Sequence, residues 1–153
     1  METLTLTRTL AAEEVLSLLR GIDFGRIVFC RYALPMVRPV NHAIIDDTLV
    51  ICGGSEDFSA NRQVVAYEAD AIDPRTHLGW FVTVSGIAEV VIDRGRLDRY
   101  RALFRPWIPG PRDLIVAVRP EIVSGVRFLE RSVAAAAPPE RASGDALEDV
   151  VVQ

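Results

Sequence analysis

Hydrophobic positions along the chain recur at two spacings. Val15, Leu18, Leu19 and Ile22 stand three and four apart, the period of a helix with one apolar face. Thr9 is a capping residue type ahead of them, Glu13 and Glu14 suit a first helical turn, and Gly21 offers a stop, so the pattern predicts a helix from Thr9 to about Arg20. Beyond Gly21 the spacing shortens. "GRIVFCRY", "MVRPVNHAII" and "TLVICGG", parted by turn-like "ALP" and "DD", predict three successive antiparallel strands. "SEDFSANRQ" is polar and predicts a short helix or a loop. "VVAYEAD" and "GWFVTVSGIAEVVI" resume strand character, with Gly86 expected at a bend or bulge. Asp93 is the expected cap of a helix from Arg94 to Phe104, "RPWIPGPRD" reads as a rigid connection, and "LIVAVRP" and "EIVSGVRFLE" read as a final strand pair broken at Pro120. These elements predict a mainly β fold whose sheet closes on itself.

One predicted strand is odd. Pro35 to Ile45, "PMVRPVNHAII", has β-branched residues that favour an extended chain, but it also carries Arg38, Asn41, His42 and a second proline through its middle. Pro39 cannot donate to a central ladder, so the strand is expected at an edge, a bulge or a local break, with something other than plain core against it.

Composition narrows the classes of function. With 153 residues, 50% hydrophobic and 25% charged, the chain suits one domain with a real core. A formal net charge of −4 argues against a general binder of phosphate backbones, and nucleic acid is not an expected partner. Cys30 and Cys52 lie in apolar runs without metal-ligand spacing and read as reduced core residues. The first residues lack the features of a secretory leader, and no run is apolar enough to span a bilayer, so a cytoplasmic protein without membrane contact is the expectation. From Ser132 the composition shifts to small, acidic and proline residues, which predicts a disordered tail over residues 132–153 behind a domain of residues 1–131. The alternative for that tail is a segment folding on a partner subunit through "ALEDVVV".

Chemical motifs are few. Neither His42 nor His77 has a nucleophile beside it, and no phosphate-binding glycine loop of the nucleotide type or metal motif is present. Gly53-Gly54-Ser55, at the end of a predicted strand, could offer backbone amides to a phosphate, or could be a simple turn. The order of segments is more telling: "VRPVN" in the second strand of the meander, the glycine-serine turn after the third, then "VAYEAD", "DP", "GWFVTVSGIAEVV" and "PWIPGPRD". In this order the chain, from about Leu10 to Phe128, resembles the pyridoxamine 5'-phosphate oxidase-like family.

The resemblance implies a split β-barrel of six or seven antiparallel strands with a few flanking helices, which binds FMN. It also implies a homodimer with the cofactor site at the subunit interface and an FMN-dependent oxidoreductase acting on a small organic molecule. Carried over residue by residue, it places Arg38, Pro39, Val40 and Asn41 along the flavin ring, and Cys52, Gly53 and Ser55 at the phosphate turn. Trp80 falls where the family has a tryptophan near the flavin, although a buried core indole is the other reading. Trp107 would serve a pocket rim or anchor its loop, and Arg31 and Tyr32 would stand at the pocket mouth or a solvated hairpin tip. The chain departs from the family at Glu56 and Asp57, where a basic residue usually follows the turn, and Arg62 is the cation that could replace it. A deazaflavin in the same cleft is the alternative cofactor, favoured if Arg26, Arg31 and Arg62 form a basic groove. A flavin- or haem-binding protein without turnover is the alternative of another class. The substrate-phosphate residues of the vitamin oxidase are poorly matched by "SGVRFLERS", so pyridoxamine phosphate oxidation is not the expected activity.

Overall fold

The computed structural model describes residues 3–59 and 62–132 of the chain. The described residues form the strands β1 (Thr3–Thr9), β2 (Phe24–Arg31), β3 (Leu34–Ile45), β4 (Thr48–Gly53), β5 (Gln63–Ile72), β6 (Gly79–Val90) and β7 (Leu114–Ser132), with helices α1 (Ala12–Arg20) and α2 (Arg94–Leu103). All pairings are antiparallel and the sheet runs β1-β7-β4-β3-β2-β5-β6. Strand β6 returns to pair with β7, so β2 to β7 close into a ring and β1 is appended outside it. This is the mainly β, split-barrel fold expected from the sequence. The expected tail lies outside the described residues, apart from Ser132, which ends β7.

Strand β7 makes the closure possible, and here the expectation of two strands broken at Pro120 is corrected. Residues 114–118 pair with β4 and residues 126–132 with β1, while the other edge follows β6 from Val116 to Phe128 with one bulge on the way. Ser85 faces Ile122 and Gly86 faces Pro120, leaving Glu121 as an extra residue in the ladder. A proline has no N–H for the ladder, and the bulge removes the need for one. Gly86 is irregular as expected, because a Cβ there would run into the Arg119 carbonyl.

The start of the chain also differs from expectation. Thr9 is the last residue of β1, opposite Val126, and does not cap α1. Ala11 takes the cap position, and the Glu14 carboxylate accepts its N–H at 3.3 Å. The alternation "TLTLTRT" carried the strand signal, but strands of Thr and Leu at a chain start look like a solvated lead-in until a partner strand is known. Gly21 ends the helix at a φ of −82°, so it stops the chain by breaking the helix and not by left-handed geometry. Asp93 caps α2 as expected, accepting the Arg96 N–H at 2.8 Å.

Two apolar layers hold the barrel. Val15 and Leu19 of α1 are fully buried with Ile27, Phe29, Leu49, Ile51, Val82 and Val116 inside the ring. The outer face of β4 and β7 carries Val50, Cys52, Ile115 and Ala117, which α2 covers through Tyr100 and Phe104. Strand β4 is therefore buried on both faces, which is why "LVIC" is a continuous apolar run instead of an alternating one. Cys52 is a buried free thiol, but Cys30 is exposed, contrary to its expected core position.

One buried polar pair crosses the core. His42 Nε2 lies 2.7 Å from the Leu19 carbonyl, which can only accept, so Nε2 carries the proton and Nδ1 accepts the Tyr67 hydroxyl. Burial lowers the His42 pKa and raises that of Tyr67, keeping both neutral. The pair ties the end of α1 to β3 and β5.

Candidate functional site: the cleft between β3 and β4

The ring opens where β3 and β4 part. They pair from Ile45 and Thr48 as far as His42 and Ile51. Past that point β3 follows β2 alone, with Pro39 opposite Arg26 and Asn41 opposite Phe24, while Cys52 and Gly53 turn to Ile115 and Leu114 of β7. Pro39 thus stands where β3 has a partner on one side only, and the missing N–H costs no ladder bond there. The gap is a cleft of about 340 Å³, within the roughly 300–1,000 Å³ of small-molecule sites. This is the reason for the polar residues in β3: Arg38, Pro39, Val40 and Asn41 form one wall.

Cys52 to Gly54 with Glu56 to Phe58 form the second wall, and the segment Ile108 to Arg112 the third. That third wall is held by Asn41. Its side-chain oxygen accepts the backbone N–H groups of Trp107 (2.8 Å) and Ile108 (2.7 Å), and its Nδ2 donates to the Asp23 carbonyl at 3.0 Å. The Trp107 indole N–H adds a bond to the Asp23 carboxylate at 2.8 Å, and its ring meets Phe24 edge-on at 5.9 Å. Asn41 is 2% exposed, with its side-chain oxygen taken by two amides and one Nδ2 N–H by the Asp23 carbonyl, so its first role is to build the cleft.

The glycine turn serves packing. A Cβ on Gly53 would lie 2.5 Å from the Phe58 ring, and one on Gly54 2.7 Å from Pro111, so the bare backbone lets both residues close against the strand end. The Asp57 and Phe58 amides both donate to the Gly54 carbonyl at 3.1 Å. Residues 55–57 form a turn, not a helix start, and those two amides are spent.

The charges of the cleft are balanced. Arg38 Nε lies 3.3 Å from one Asp57 oxygen, and Arg31 reaches the other at 3.5 Å. Arg112 donates to the Pro106 carbonyl at 2.8 Å and has no carboxylate partner among the described residues. Glu56 lines the same wall as Asp57. Burial pushes the Cys52 thiol up, against the opposing pull of the Arg112 charge, so the cleft holds a thiol and not a thiolate.

The structure brings Arg38, Pro39, Val40, Asn41, Cys52 and Gly53 onto one cleft. Ser55 is exposed beside it. Arg62 lies elsewhere, paired with Glu89 at 2.9 Å, and Trp80 is buried in the barrel core of its own chain. Arg26 is paired with Glu68 and Asp70, so Arg26, Arg31 and Arg62 are each matched by carboxylates and do not make a free basic groove. Sequence reasoning overlooked Phe58, Ile108 and Arg112 as wall residues. Phe58 was the one large apolar side chain in a polar stretch, and the density of prolines around Trp107 marked a fixed loop without saying what it faced.

Val40, Phe58, Ile108, Pro109 and Pro111 supply apolar walls, and Arg38 and Arg112 supply donors. That combination fits a flavin ring system, which is flat and apolar with a polar edge. No group of residues suited to a metal ion occurs among those described. No described helix is long and apolar enough to cross a membrane.

The fold is a split barrel with a cleft where two strands part, and the chain belongs to the pyridoxamine 5'-phosphate oxidase family, whose model matches residues 11–130. It is 40% identical over 128 residues to an uncharacterized protein of Mycobacterium tuberculosis, covering 78% of this chain and 84% of that one. A conserved protein of unknown function from Corynebacterium diphtheriae has a similar structure, at 27% identity and a TM-score of 0.68, over 80% of this chain and 98% of that one. The FAD-binding protein of Mycobacterium smegmatis is similar at 25% identity and a TM-score of 0.60, over 81% and 100% of the two chains.

Proposed function

We propose that the chain binds a flavin in the cleft between β3 and β4 and acts as a flavin-dependent oxidoreductase on a small organic molecule. The observation that carries this reading is the cleft itself: a cofactor-sized gap, with apolar walls and two guanidinium donors, opened by the parting of two strands. FMN is the form the family resemblance implies, and FAD is the form carried by the similar Mycobacterium smegmatis protein.

A bound flavin would supply hydride transfer at its ring, so no protein nucleophile is required. The chain's share is orientation and exclusion of water. Val40, Phe58 and Ile108 offer the ring apolar surface, Arg38 and Arg112 offer donors, and the neutral Cys52 thiol brings no competing charge. A two-fold homodimer belongs to the same proposal. Val37 and Trp107 are large apolar side chains next to cleft residues in sequence, Phe24 stands opposite Asn41 in the ladder, and the three are 54%, 56% and 45% exposed in the single chain.

The test is the absorption spectrum of the purified protein before and after incubation with riboflavin, FMN and FAD, then after a reduced nicotinamide. A flavin band that stays with the protein on gel filtration and bleaches on reduction supports the reading. Protein that retains none of the three flavins rejects it. Neither the deazaflavin nor the haem reading is favoured by a specific observation: the arginines form no free basic groove, and both nitrogens of the buried His42 are engaged.

A further inference from the structure

The cleft contains an anion of its own. Asp57 stands on its wall and divides its carboxylate between two arginines, one oxygen toward Arg38 and the other toward Arg31. Its side chain is 18% exposed, against 42% and 40% for Arg38 and Arg31. The acid is therefore the sheltered member of the cluster, with the cations gathered around it. The backbone also fixes it in place, because the Asp57 N–H is tied to the Gly54 carbonyl at 3.1 Å.

We propose that Asp57 is a selectivity residue: it occupies Arg31 and Arg38 as an internal counter-anion, so that the cleft selects flavins by their ring and not by their phosphate. The proposal rests on the flavin reading above. A phosphate seeking Arg38 must displace a carboxylate that is already paired, or share the cation with it at a distance where like charges repel. The amides that a turn could otherwise offer to an anion, those of Asp57 and Phe58, are spent on Gly54. Arg112 remains as the one cleft-lining cation without a carboxylate partner among the described residues, and its guanidinium donates to the Pro106 carbonyl. A ligand gains little from carrying a dianion into such a site.

The experiment is a set of titrations of the full-length protein with riboflavin, FMN and FAD, read by flavin fluorescence at low and at high salt. For the wild type, FMN and riboflavin should bind within about threefold of each other, and the ratio should hardly move with salt, because paired charges leave little field to screen. Asp57→Asn keeps the size of the side chain and releases both arginines. It should raise FMN affinity about tenfold over riboflavin, the scale of one charge-assisted bond, and make the ratio salt-dependent. Glu56→Gln removes the same charge from the same wall but frees no cation, so its ratio should change by less than about twofold.

A wild type that prefers FMN over riboflavin by tenfold or more overturns the proposal without any variant. So does riboflavin binding with a ratio that Asp57→Asn leaves unchanged, or an equal response to Glu56→Gln, which would make the effect one of diffuse charge. Binding of none of the three flavins by wild type or variants overturns the flavin reading, and this proposal with it.

Discussion

Asn41 accepts the backbone N–H of Trp107 at 2.8 Å across 66 residues of chain, and the same oxygen takes the next amide, that of Ile108, at 2.7 Å. A strand residue with no partner on its β4 side thus supplies, by its side chain, the acceptor that the loop would otherwise lack. The consequence is that one wall of the cleft depends on a single amide oxygen. Asn41→Ala should leave two amides without an acceptor, at about 1–3 kcal/mol for each that stays buried. Asn41→Asp keeps an acceptor oxygen for both amides, but it buries a carboxylate and sets its second oxygen against the Asp23 carbonyl, so stability alone does not separate the two variants. We expect Asn41→Ala to lower the denaturation midpoint and to shift tryptophan emission to the red as Trp107 leaves Asp23 and Phe24, and Asn41→Asp to keep emission near that of the wild type. Wild-type emission and stability in Asn41→Ala would mean that the loop holds itself.

The polar pair in the core makes stability depend on pH. Burial lowers the His42 pKa from an unfolded value of about 6.5, so the native state binds fewer protons than the unfolded chain once the pH falls below that value. Its contribution is present above about pH 6.5 and is lost as the pH falls toward the depressed folded value. Glu68 acts with the opposite sign: burial and the neighbouring Asp70 raise its carboxyl pKa, so it favours the folded state at low pH. The separating measurement is a series of melting curves between pH 8 and pH 5. His42→Gln should flatten the loss of melting temperature on acidification relative to wild type, whereas Glu68→Gln should steepen it. Tyr67→Phe leaves Nδ1 of His42 without its donor and should cost about 1–3 kcal/mol at neutral pH.

How far the sequence spoke for the fold follows from how local each signal was. Helix and strand periods, the Asp93 cap and the irregularity at Gly86 are decided by neighbouring residues, and they were legible. The continuity of β7 through Pro120 was not, because it depends on Gly86 and Ser85 in another strand accepting an extra residue. Arg38 and Pro39 marked an unusual strand, and the parting of β3 from β4 explains them. Asn41 was legible as a cleft residue but not as the anchor of a loop 66 positions away. Arg62 was read from proximity to the glycine turn in sequence, and Glu89 on β6 draws it elsewhere.

The β2–β3 hairpin carries a removable strain. Tyr32 and Ala33 have φ of +52° and +61°, the left-handed pair of a two-residue turn whose twist matches its strands. Neither residue type favours that region, which costs an L-residue roughly 1–2 kcal/mol, offset in part by the entropy a glycine would lose. Ala33→Gly should therefore stabilise the protein by about 0.5–1 kcal/mol in denaturant unfolding, with flavin binding unchanged. A destabilised Ala33→Gly would show that the turn relaxes out of the left-handed region in solution.

Arg62 and Arg112 give the last comparison, because both are arginines that could reach for an anion and only one lines the cleft. Arg62 is 58% exposed and bound to Glu89 at 2.9 Å, a surface pair of the kind that contributes about 0–1 kcal/mol. Arg112 lines the cleft beside Pro111, its guanidinium steadied by the Pro106 carbonyl at 2.8 Å. Arg62→Ala should change flavin affinity by less than about twofold and stability by less than about 1 kcal/mol. Arg112→Ala should weaken riboflavin, FMN and FAD by a similar factor, roughly tenfold if its guanidinium provides one charge-assisted bond to the polar edge of the ring. The measurement is the flavin titration already described, with light scattering on the same samples to fix the number of subunits. If Arg62→Ala weakens FMN by tenfold in a sample that scatters as a dimer, Arg62 must leave Glu89 on binding or serve the cleft of the second subunit. If it does so in a monomer, the phosphate lies on the Arg62 side of the turn and Arg62 leaves Glu89 to meet it.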